Sequence, residues 1–195
     1  MKIRHWLAAL TTLLPAVSMA HPGHDLQAGF VIGALHPLTG LDHLLAMLAV
    51  GLWAAQLCGR LRFTVPLSFV SLMLIAAVFG MSGSSFNAVE QGIAASVCVL
   101  GLLLATSVRL PAAICLILTG AFAMFHGYAH GVEVPQEASA ALYMTGFATS
   151  TLVLHVISVA AGRWLTNHQQ QTSLRWAGAA MAASGATLWV GQALA

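Results

Sequence analysis

Apolar residues fall in blocks near twenty long, broken by short polar stretches, over most of the 195 residues. Blocks of that length suit the hydrocarbon layer of a bilayer, which takes about 20 apolar residues of helix to cross. Beyond Asp25 the pattern predicts six spans: Leu26–Leu57, Phe63–Gly80, Ala88–Ser107, Pro111–Ala129, Ala140–Ala161 and Leu174–Leu194. The connections are short, and no linker separates soluble domains, so the expectation is an all-α, polytopic bundle of six transmembrane helices. Small residues four apart, Gly92 with Ser96, Gly127 with Gly131 and Gly178 with Ala182, suit close helix packing.

The start of the chain reads differently. Lys2 and Arg4 precede an apolar run from Trp6 to Val17, which ends in Ser18, Met19 and Ala20. A basic start, a run too short to span comfortably and small residues at its end form a cleavable signal peptide. The expected division is therefore a signal over 1–20 and one membrane domain over 21–195, whose mature end begins His21, Pro22, Gly23, His24 outside the cytoplasm.

Composition agrees with the pattern: 59% of residues are hydrophobic and 6% charged, against about a quarter charged in a soluble domain. The net charge of +2 is too small and scattered for nucleic acid, and no glycine-rich phosphate loop supports ATP use. The charges do orient the chain. Arg60, Arg62, Arg109, Arg163 and Arg175 fall beside the connections after spans one, three and five, whereas Met81–Asn87 and Gly131–Ser139 hold no Lys or Arg. By the positive-inside rule the arginine end faces the cytoplasm and both mature termini face out, as expected for a bacterial inner-membrane protein.

Ionisable residues inside apolar spans carry the chemistry, since each charged one costs roughly 2.5 to 3.5 kcal/mol at mid-span. Span one contains His36-Pro37-Leu38-Thr39-Gly40-Leu41-Asp42-His43. Pro37 biases His36 away from helical geometry, and Pro37 with Gly40 permits a break that decides whether His36, Asp42 and His43 converge. A capping box from Thr39 to Asp42 is the competing role for the carboxylate. Span four ends Phe125-His126-Gly127-Tyr128-Ala129-His130-Gly131-Val132-Glu133, with His126, His130 and Glu133 on one helical stripe. Imidazole with carboxylate selects nickel, cobalt, zinc or iron over magnesium or calcium. Two histidines hydrogen-bonded between helices would be the purely structural alternative.

Other polar residues are weaker candidates. Glu90, near the outer end of span three, is either a further acid of the path or part of a helix start with Asn87. His21 and His24 could capture metal at the mouth or form a mobile tail. His155 stands alone and reads as a satisfied interhelical histidine, the methionines form no copper-binding cluster, and Cys58, Cys98 and Cys115 read as packing residues.

The segments His36–His43 and Phe125–Glu133 together resemble the HupE/UreJ family of membrane proteins, over nearly the whole mature chain. The resemblance implies a nickel permease, not an enzyme, serving hydrogenase in one branch and urease in the other, with cobalt handled by some relatives. It implies that His36, Asp42, His43, His126, His130 and Glu133 are the metal-binding motif residues, with Glu90 a further functional acid. Nickel would then be the transported ion, with no permanently bound cofactor. A competing reading of the same ligands is an intramembrane zinc hydrolase, and a haem bundle using His126 or His155 is a third.

Overall fold

The structure, a computed structural model, describes residues 25–194, with side chains from Gly29 onward. The signal segment, His21 and His24 lie outside the described residues. Among the described residues there are seven helices and no strand: α1 (Asp25–Thr39), α2 (Leu41–Gln56), α3 (Leu61–Met81), α4 (Val89–Thr106), α5 (Ala112–Val132), α6 (Ala140–Asn167) and α7 (Gln171–Leu194). Four of these, α3 to α6, are long and apolar enough to cross a membrane, and the bent pair α1–α2 makes a fifth crossing if taken as one span. The stretch expected as a sixth span forms the 24-residue α7. Its Gln171, Thr172, Ser173, Arg175 and many alanines and glycines leave it less apolar than the other four.

The first expected span is divided, and more sharply than a kink. α1 and α2 meet at 81°. The break sits at Gly40, in extended conformation (φ −91°, ψ 116°), whereas His36 and Pro37 remain helical. A proline near the end of a helix removes one backbone hydrogen bond, but continuation for one more turn is tolerated; the glycine then makes the turn.

The bundle is built from helix pairs. α3 packs chiefly on α5, α4 on α7, and both α1 and α2 on α6. α2 runs through the middle and also touches α3, α4 and α7, so Ala46, Met47, Ala49, Val50, Trp53 and Ala54 on it are almost wholly buried. Bare backbone allows the closest approaches: a side chain at Gly33 would collide with the Tyr143 carbonyl, and one at Gly131 with the Ala77 carbonyl. Those two contacts fix α1 on α6 and α5 on α3, the helices that carry the polar residues. The antiparallel order gathers Arg60, Arg62, Arg109, Arg163 and Arg175 at one end of the bundle, with Glu90, Glu133 and Glu137 at the other.

Candidate metal centre

The elbow at Gly40 brings the end of α1 and the start of α2 onto the same region, and His36 and His43 come with them. Their ring centroids are 6.4 Å apart. Thr39, the other half of the proposed capping box, donates its hydroxyl to the His36 carbonyl at 2.8 Å, and the helix cap is Gly40 without a side-chain bond. Asp42 is therefore no partner in a capping box. Its Oδ1 accepts from both the backbone amide and the ring Nδ1 of His43, each at 2.8 Å. With the Nδ1 proton held there, the lone pair of His43 lies on Nε2, which is buried and has no partner.

α5 continues helically to Val132, so His126, His130 and Glu133 do form one stripe, rising about 10 Å along the axis. His126 donates Nδ1–H to the Phe122 carbonyl one turn back at 2.9 Å, which again leaves Nε2 as a buried, unpartnered acceptor. His130 is wholly buried, and neither ring nitrogen has a hydrogen-bond partner. A neutral imidazole left with a bare lone pair in a dry interior is costly unless something coordinates it.

The two groups interlock. His36 donates Nε2–H to Glu133 Oε2 at 2.8 Å, and His130 Nδ1 lies 3.4 Å from the same oxygen. One ligand atom from each of His36, His130 and Glu133 lies within 4.8 Å of the others, a spacing that small side-chain movements would close around a cation. The His43 ring is 4.3 Å from that of His130 and 5.2 Å from that of His126. Side-chain exposure falls from 44% at Glu133 and 29% at His36 to 10% at His43 and zero at His130. The donors thus form a ladder from an open mouth to a dry interior. At the mouth, beyond the end of α5, the imidazoles of His130 and His36 hold the Glu133 carboxyl well below its usual range, so an anion faces the entrance.

Not every candidate joins this group. Glu90 is exposed in the first turn of α4 and is not among the residues whose ligand atoms gather with His36. The helix start it was weighed for has Ala88 at the cap, in the left-handed conformation, without a side-chain bond. His155 is buried, as expected, yet neither ring nitrogen makes a well-formed hydrogen bond, and the ring packs edge-on against Phe69 at 5.5 Å between centroids. The same Phe69 meets His126 at 5.5 Å, so an aromatic ring lies between the lowest rung of the ladder and His155.

Sequence reasoning missed two residues of α6. Tyr143 and Phe147, both fully buried, flank the site: the Tyr143 ring lies 5.8 Å from His36 and the Phe147 ring 3.8 Å from His130. The available signal was Tyr143 itself, a hydroxyl placed in an apolar span, where it needs a reason.

The model of the family described as HupE / UreJ protein matches residues 8–188. The chain is 41% identical over 190 residues to Protein HupE of Rhizobium leguminosarum bv. viciae, covering 97% of this chain and 98% of that protein. No solved structure matches it.

Proposed function

The chain belongs to the HupE/UreJ family, and from that membership and the donor ladder we propose that it is a membrane permease carrying nickel, with cobalt as an alternative cargo, into the cytoplasm for the maturation of nickel enzymes. The observation that carries this reading is the gathering of His36, His130 and Glu133 ligand atoms within 4.8 Å, continued inward by the unpartnered Nε2 atoms of His43 and His126. Imidazole nitrogen with one carboxylate suits a divalent ion of the later first transition series.

In this mechanism the ion meets the Glu133 carboxylate at the mouth, which lies on the outer side if the arginine end faces the cytoplasm. It exchanges water for His36 and His130, and the proton shared by His36 and Glu133 leaves or moves to the other ring nitrogen as the metal takes its place. Asp42 keeps His43 in the tautomer that presents Nε2, so Asp42 is a positioning residue. Passing His43 and His126 in turn needs only small steps, because adjacent rings already touch. An inside-negative potential of about 100 mV releases about 4.6 kcal/mol for two charges, so no nucleotide is required. The converging His36, His130 and Glu133 would by themselves also suit a hydrolase with an open water position; the further unpartnered Nε2 atoms of His43 and His126 beyond them favour passage.

The test is radioactive nickel uptake by cells expressing the wild type or His36→Ala, with cobalt and zinc as competitors and membrane expression verified. Uptake lost in the variant and inhibited by cobalt more than by zinc is expected. Equal uptake by the variant and the wild type overturns the proposal.

A further inference from the structure

Away from the histidine ladder, at the arginine end, residues of α3 and α6 line a groove of about 570 Å³. Part of its lining is apolar and exposed, with Phe63 61%, Leu67 54% and Val156 61% accessible. The same groove is lined by polar residues, Arg62 from α3 with Arg163 and Asn167 from α6, together with the exposed Trp164.

Two guanidinium groups lining one groove repel across it, and an anion seated between them would offset that repulsion. The chain offers none. Its acids are Asp25, Asp42, Glu90, Glu133 and Glu137, on the first two helices or near the far end, and among the described residues no carboxylate pairs with Arg62 or Arg163. Arg62 further holds a buried Nε with no hydrogen-bond partner, beside a cation–π contact of 5.9 Å to Phe63. An anion with acceptor oxygens suits the polar lining, and an extended hydrocarbon chain suits the apolar lining.

The geometry points to a binding site for one anionic phospholipid between α3 and α6, its phosphate held by Arg62 and Arg163 and an acyl chain lying along Phe63, Leu67 and Val156. The occupant is a lipid of the leaflet at the arginine end; a free phosphate would leave the apolar half uncovered. Trp164 sits where interfacial tryptophans sit, at headgroup depth. The site is separate from the metal ladder and does not depend on which ion the protein carries.

The full chain, purified in mild detergent and exchanged with either phosphatidylglycerol or phosphatidylcholine, is examined by native mass spectrometry for retained lipid. The wild type should retain one phosphatidylglycerol in preference to phosphatidylcholine, and excess inorganic phosphate should not displace it. Each arginine near the surface contributes about five-fold to anionic-lipid affinity, so Arg62→Gln with Arg163→Gln should lose roughly twenty-fold, whereas Arg60→Gln, outside the groove, should retain the lipid. If the double variant does not accumulate, each single variant should lose about five-fold. Equal retention of the two lipids, displacement by phosphate, or wild-type retention by the arginine variants overturns the assignment.

Discussion

His36 and Glu133, 97 residues apart in the chain, meet through a 2.8 Å hydrogen bond from Nε2 to Oε2. The pair joins the end of α1 to the end of α5, two helices that otherwise pack on different partners, α6 and α3. Glu133→Gln keeps the shape and removes the charge. Nickel affinity, measured by equilibrium binding to purified protein, should fall by at least roughly tenfold, with uptake falling in parallel. Unchanged affinity would remove Glu133 from the ligand set.

Asp42 touches only His43 in the cluster, so its influence must pass through that ring. Asp42→Asn and His43→Ala should each weaken nickel binding, the first by roughly 10 to 100-fold. The double variant should be no worse than His43→Ala alone, since a positioning group has nothing left to position. Losses that multiply would make Asp42 an independent ligand.

Glu90 stands exposed and apart from the gathered donors. Glu90→Gln should therefore leave equilibrium nickel affinity unchanged, any effect on transport being confined to the initial uptake rate. A matching fall in affinity would move Glu90 into the binding site.

Gly33 supports His36 from one turn below by letting α1 lie against the Tyr143 backbone. Gly33→Val should lower stability by about 1–3 kcal/mol and impair uptake by displacing His36. Gly191→Ala, which meets nothing within 4 Å, is the neutral control. Thermal unfolding in detergent, alongside uptake, compares the two.

The helices were legible because apolar run length and short polar gaps suffice to mark them, and the described boundaries of α4 and α5 fall within about three residues of the expected ones. The position and angle of the elbow were not. Pro37 is the stronger local signal, but whether a helix survives a proline depends on what the surrounding packing supplies, and here the turn passes to Gly40. The stripe of His126, His130 and Glu133 follows from helical periodicity alone. That Glu133 bonds His36 needed the tertiary arrangement, and that Asp42 serves His43 rather than a capping box with Thr39 needed the position of the break at Gly40. Phe147 was invisible as a site residue because an aromatic side chain in an apolar span carries no mark of which face it occupies, and Tyr143 was marked only by its hydroxyl, which does not say which helix it meets.

The division of the donors between helix pairs sets a condition on release. His36 and His43 belong to α1 and α2, both seated on α6, while His126, His130 and Glu133 ride on α5, seated on α3. Straightening the elbow would peel one of its arms from α6, whereas a slide of α3 and α5 as a unit past α1, α2 and α6 would keep the chief helix pairings intact. Such a slide takes the donors apart, two imidazoles from two imidazoles and a carboxylate, and a cation held by both sets loses about half its coordination at one stroke. Under the proposed transport, capture and discharge would be two positions of one sliding seam, with no helix needing to unfold to let the ion go.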